Sequence, residues 1–154
     1  GEEVLMVSIG TSLEVTGSHG IKVSADRLFE EVDYSDADML VLPGGMPGTL
    51  HLGEHKGLTE LLIKFNEADK KVAAICAAPG VFGANGILKG RKATCYPGCE
   101  EKLKGAVLSE EAVVRDKNVT TSRGVGTAIA FALELISQLE GELKAHQIKK
   151  SIVY

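Results

Sequence analysis

Apolar positions along this chain fall into short solid runs separated by stretches with helical periodicity. Residues 4–9 form a β-branched apolar run ended by Gly10, which predicts a strand. Residues 13–15 and 21–23 flank "TGSHG" and predict a hairpin or wide turn. Residues 39–42 are a solid run stopped by "PGGMPG", the pattern of a buried parallel strand entering a glycine-rich loop. Leu58, Leu61, Leu62 and Phe65 recur at helical spacing and predict an amphipathic helix over 56–68.

A second buried strand is expected at 72–75, then a helix over 77–88 that Gly80, Gly83 and Gly86 weaken. A short strand at 92–95 and a helix near 100–103 follow. Residues 112–114 and 119–121 bracket "RDKN", a hairpin signal. Ala128, Phe131, Ala132, Leu135, Ile136 and Leu139 give the clearest helix; Thr127 or Ser122 is available to cap its start and Gly141 to end it. The tail reads as a short helix and an extended end. Solid strands alternating with helices imply a parallel sheet covered on both faces, with ligands bound beyond the carboxyl ends of the strands.

The length, 154 residues, suits one domain spanning 1–154, and 44% apolar with 25% charged residues is an ordinary globular balance. A net charge of -4, no basic block and no Trp argue against a nucleic-acid partner. No apolar run reaches membrane-span length and no signal-peptide pattern opens the chain, so a cytoplasmic location is expected. The three cysteines, Cys76, Cys95 and Cys99, then read as reduced thiols. Cys95 and Cys99 lack the further ligands of a zinc site, and no metal is expected.

The chemistry concentrates where two strands end, at "LVLPGG" and "VAAICAAPG". Cys76 closes an apolar run and small residues follow at once, with Ala74, Ala77 and Ala78 leaving room for a tight turn. That is the pattern of a nucleophile elbow with Cys in place of Ser, where backbone N–H groups favour a thiolate and can hold an oxyanion. Gly44 and Gly45 permit a second backbone to approach. The alternative for Cys76 alone is a small buried hydrophobe.

Taken together, "DMLVLPGGMPG", "VAAICAAPGVF", "ATCYPG", "TSRGVGTAIAFALELI" and "KAHQI" resemble the ThiJ/PfpI superfamily over nearly the whole chain. The resemblance implies a flavodoxin-like three-layer α/β sandwich with a mostly parallel sheet, class I glutamine amidotransferase-like, and a homodimer. It implies that Cys76 is the reactive cysteine and that the Gly45 and Ala77 N–H groups form an oxyanion pocket. Tyr96 falls where members place a residue, often His, beside the thiol; His19 falls on a loop that reaches the site in some members; Arg123 lies in a nearby wall. The plain alternatives for these three are a packed aromatic, an exposed loop residue and a structural ion pair.

The implied activity is cofactor-free chemistry on small reactive aldehydes such as methylglyoxal, through a Cys76 hemithioacetal. An alternative is oxidative sensing or a chaperone-like role through Cys76, with Cys95 and Cys99 as resolving thiols or spectators. Ala77 stands where the peptidase branch carries His, which argues against a protease. The thiazole-phosphate label attached to some members finds no phosphate loop here. The family's proton-shuttling Glu lies on a first strand, loop and helix of about thirty residues that this chain lacks; Glu2, Glu3 and Glu14 read as solvated charges instead. Because that strand is central in the family's sheet, the resemblance implies a covering N-terminal segment in the working molecule, as a separate chain or absent piece.

Overall fold

The computed structural model describes residues 2–154. Its main sheet has four strands: β5 (Met39–Leu42), β6 (Lys71–Ile75), β9 (Val113–Asp116) and β10 (Val119–Ser122), ordered β5–β6–β10–β9. The first three in that order run parallel, with Leu40 opposite Val72 and Val72 opposite Val119. β9 returns antiparallel to β10 across the two-residue loop Lys117–Asn118. Lys117 there has φ 56, the left-handed conformation that tight hairpin loops require.

Period-two alternation sends Leu42, Val72, Ala74 and Val119 to one face. There they pack with Leu58, Leu62 and Phe65 of α2 (Lys56–Glu67) and Phe82 of α3 (Pro79–Ala84) in one buried core. α1 (Gly48–Glu54) packs against both helices. Thr120 points to the other face, where it accepts a 2.8 Å hydrogen bond from Gln138 Nε2 of α4 (Ala128–Glu140). α5 (Glu142–Ser151) packs on α4. This is the three-layer, flavodoxin-like α/β sandwich, with a mostly parallel sheet.

Among the described residues, three two-stranded ladders lie outside this sheet. β1 (Val7–Ser8) runs parallel to β4 (Arg27–Leu28), β2 (Glu14–Thr16) and β3 (Lys22–Ser24) form the hairpin, and β7 (Lys92–Ala93) pairs with β8 (Val107–Leu108). Among the described residues, no strand pairs with the outer edge of β5. On the face opposite the core, Val41 is 46% exposed.

Several expectations are corrected. The strand expected over 4–9 is confined to Val7–Ser8; the Asp26 carboxylate takes the Met6 N–H at 2.8 Å, and Val4, Leu5 and Met6 are exposed. The helix expected over 77–88 spans only Pro79–Ala84, because the chain reaches the left-handed conformation at Gly86, φ 73. The helix near 100–103 is a single 3-10 turn, Glu100–Lys102. Thr127 precedes α4 but does not cap it; its hydroxyl bonds Gly124 and Ser122 instead. The tail is not extended: Val153 adopts φ 60 and the Tyr154 N–H returns to Lys149 O at 3.1 Å. α1 was not legible in the sequence at all.

Candidate active site

Cys76 follows the last residue of β6 and has φ 67. A residue with a Cβ pays about 1–2 kcal/mol for that left-handed conformation, so the corner is held by its surroundings. Two distant elements clamp it. The Cys76 N–H donates to Ser122 O at 3.0 Å, at the end of β10, and the Tyr96 N–H donates to Cys76 O at 2.9 Å. Ala77 and Ala78 beside it are buried. The thiol itself is half-buried and free.

Gly44 lies directly against this corner. A Cβ built there would stand 2.4 Å from Cys76 Cβ, 3.1 Å from its Sγ and 2.9 Å from Ile75 O. Only a residue without a side chain allows that approach. Gly45 follows with φ 93, and its carbonyl accepts both the N–H (2.9 Å) and the Oγ1–H (2.8 Å) of Thr49 in α1. Among the described residues, the N–H groups of Gly45 and Ala77 donate to no protein acceptor. The corner therefore joins a strained, accessible thiol to unpartnered backbone donors on neighbouring segments, the parts a thiol nucleophile needs.

Other candidates stand at varying distances from this constellation. Tyr96 is tied to Cys76 through its backbone, and its ring packs on Gly124, where a Cβ would meet Tyr96 Cδ2 at 3.3 Å. His19 is exposed near the tip of the β2–β3 hairpin, and its Nδ1 lies 3.2 Å from Ser18 Oγ; no hydrogen bond among the described residues links it to the corner. Glu14 is occupied by Lys22 at 2.8 Å. Among the described residues Arg123 is in no ion pair: its Nη1 donates to the backbone carbonyl of Glu110 at 2.8 Å. Among the described residues, no group of three or more His, Cys, Asp or Glu side chains is placed to hold a metal ion.

Cys95 is buried, and burial, reinforced by Glu100 and by the neighbouring Cys99, pushes its thiol up to about 11 from an ordinary 9.0. The folded value lies above the unfolded one, so this thiol supports folding fully below about pH 9 and loses that support as pH rises through about 11. Two outcomes are expected. Peptide mapping after iodoacetamide at pH 8 finds Cys76 and Cys99 alkylated while Cys95 is spared. Denaturant melts between pH 9 and 11 fall less steeply for Cys95→Ala than for the unmodified protein. Rapid labelling of Cys95 at pH 8 would contradict both.

Fold and site together define an α/β protein with a cysteine elbow at the carboxyl end of a parallel sheet. Comparison with known proteins gives the family. The model of the DJ-1/PfpI family matches residues 1–138, and this chain belongs to that family. Protein DJ-1 homolog A of Arabidopsis thaliana is 42% identical over 149 residues, 96% of this chain and 38% of the relative. Protein dj-1beta of Drosophila melanogaster is 32% identical over 99% of this chain and 83% of its own length. Deglycase PfpI of Pyrococcus furiosus is 36% identical over 91% and 84%. The structure of oxidized Toxoplasma gondii DJ-1 superposes with TM-score 0.94 at 34% identity, covering 99% of this chain and 83% of that one. The chain spans 38% and 34% of the length of the two Arabidopsis relatives it matches.

The elbow and the glycine approach were legible in the sequence; the clamp was not. Ser122 and Tyr96 lie 46 and 20 residues from Cys76 in the chain; the register of β6 on β10 brings Ser122 to it, and the Thr94 N–H on Thr121 Oγ1 at 3.0 Å holds the segment leading to Tyr96 against β10. The one available signal was "TSRG" ending a strand, which marks another carboxyl end of the same sheet.

Proposed function

We propose that this protein is a cysteine-dependent, cofactor-free enzyme acting on small reactive aldehydes, methylglyoxal and glyoxal being the type substrates. The observation that carries the reading is Cys76 at φ 67 with the Gly44 backbone against its thiol. Two relatives at 36% identity bear the name deglycase, which supports an enzymatic role. The thiolate adds to the aldehyde carbon, and the N–H groups of Gly45 and Ala77 steady the resulting oxyanion. Moving the proton from that carbon to its neighbour converts the hemithioacetal into a thioester of a 2-hydroxy acid. Water then cleaves the thioester, so methylglyoxal and water become lactate and the thiol is restored. The test is methylglyoxal consumption, which Cys76→Ser abolishes.

A second reading is oxidative sensing. A half-buried thiol in a strained turn is open to peroxide, and one relative was solved as an oxidized protein. In this reading Cys95 is a spectator, because a thiol pushed up to about 11 supplies little attacking thiolate near neutrality.

The working molecule is a cytoplasmic homodimer in either reading, with its thiols reduced. The exposed apolar pair Val15 and Val23 on the hairpin supports association. The open edge of β5 and exposed Val41 support a covering strand, from an N-terminal segment of about thirty residues that also brings the proton-moving carboxylate. Native mass spectrometry of the purified cellular protein is expected to give twice the combined mass of this chain and that segment. A species composed of 154-residue chains alone would refute the covering segment, and a monomer would refute the dimer.

A further inference from the structure

A cavity of about 210 Å³ lies beside the thiol corner, between the segment leading to Tyr96, β8 and Arg123. Its position follows from the clamp on Cys76. Ser122 and Tyr96 hold the two ends of the Cys76 backbone, and their immediate neighbours Arg123 and Cys95 both line the cavity. We propose that this cavity is a subsite for a small 2-hydroxy monocarboxylate whose carboxylate is held by Arg123. The proposal rests on the aldehyde reading of Cys76, in which a neutral oxoaldehyde leaves the thiol as a 2-hydroxy acid and an anion is created next to this cavity.

Three features fit that ligand. Arg123 is anchored by one N–H on Glu110 O, which fixes the guanidinium and leaves its remaining donors free; none of the ion pairs among the described residues includes it. A guanidinium in that state matches a planar carboxylate. Ser109 adds a polar side chain to the wall, its Oγ accepting the Glu111 N–H at 3.2 Å. Leu103 and Leu108 supply an apolar wall for a methyl group such as that of lactate.

The charges around the cavity narrow the class. Glu100 and Glu110 also line it, and Glu100 Oε2 is held by the Gly98 N–H at 2.7 Å. Their carboxylates oppose a second negative charge, so dicarboxylates and phosphate dianions are disfavoured against a monoanion. The Cys95 thiol, kept protonated by its burial, adds no repulsion near neutral pH.

The test is equilibrium binding to the Cys76→Ser protein, where no turnover intervenes. Amide NMR spectra are recorded with sodium lactate, sodium succinate, inorganic phosphate, and sodium chloride at matched ionic strength. Lactate is expected to shift the Cys95, Ser109 and Arg123 amides saturably in the millimolar range, and the other salts are not. Arg123→Met is expected to weaken lactate binding by about tenfold or more, the loss of a charge-assisted pair, and Arg123→Lys to recover part of it. Leu108→Glu, at a half-exposed position, places a carboxylate at the cavity and is expected to block lactate while the fold is kept. Shifts no larger than those with chloride, or affinity unchanged in both Arg123→Met and Leu108→Glu, would overturn the subsite. Methylglyoxal turnover without lactate binding removes the subsite and leaves the thiol chemistry standing. Lactate binding by a protein without turnover keeps a carboxylate site and removes the reaction assigned to it.

Discussion

Gly44→Ala is expected to destabilise the fold by about 3 kcal/mol and to silence the thiol. The added methyl would stand 2.4 Å from Cys76 Cβ and 2.9 Å from the Ile75 carbonyl, distances that real side chains do not hold. Neither neighbour is the free end of a long side chain. Ile75 belongs to the parallel ladder with Ser122, and Cys76 is clamped at both its N–H and its carbonyl. The collision must therefore be relieved by moving β5 away from β6 or by opening the clamp. Overpacking of this kind costs about 1–3 kcal/mol, placed at the upper end here because backbone is involved, and a chain of this size then melts roughly 6–12 °C lower. Gly45→Ala is the control. Gly45 has φ 93 but open space around it, so its substitution carries the conformational cost of about 1–2 kcal/mol without the collision. Thermal melts and iodoacetamide rates at Cys76 on the two variants separate the effects. Equal melts with an unchanged Cys76 rate would show that the close approach of Gly44 does not shape the corner.

The second large effect concerns Cys76 itself, where stability and chemistry should move in opposite directions. Cys76→Ala removes the thiol and keeps a Cβ at φ 67, whereas Cys76→Gly removes both. At an ordinary position glycine is the less stable of the two by about 0.5–1 kcal/mol. Here the order should reverse, with Cys76→Gly more stable than Cys76→Ala by about 1 kcal/mol, because the strain is released. Both variants should lose aldehyde turnover by at least about 10³-fold, the scale on which removing a nucleophile acts. If the alanine variant is the more stable, the strain ascribed to the corner is absent from the folded protein.

How far the sequence carried this account depended on whether a feature was local. β5, α2, α4 and the two hairpins were legible because each has its own periodicity and its own stop: "PGG" after Leu42, Gly141 after α4, and "RDKN", of which Lys117 and Asn118 form the loop between β9 and β10. α1 was missed because its seven residues begin with Gly48, contain Gly53 and hold only two leucines, Leu50 and Leu52, two residues apart. After Cys76 the apolar pattern continues to Leu88, while α3 ends at Ala84 and the backbone turns at Gly86.

The site divides in the same way. Cys76, Gly44 and Gly45 could be read from two strand ends, and the structure brings them together. The clamp from Ser122 and Tyr96, and the Thr49 hold on Gly45, depend on how distant segments pack, and no local pattern encodes them. His19 shows the converse: its place in the sequence resembles a site loop, yet its only side-chain partner among the described residues is Ser18.

The most direct test of the central claim is methylglyoxal consumption with quantitation of the lactate formed. It should use the full native assembly, including any covering N-terminal segment, beside the same assembly carrying Cys76→Ser. The expected result is stoichiometric lactate from the unmodified protein and none above the uncatalysed rate from the variant. Turnover that survives loss of the thiol would contradict the account, as would inertness of both proteins; inertness with Cys76 still readily oxidised by peroxide would make the strained corner a site for oxidation rather than for aldehydes.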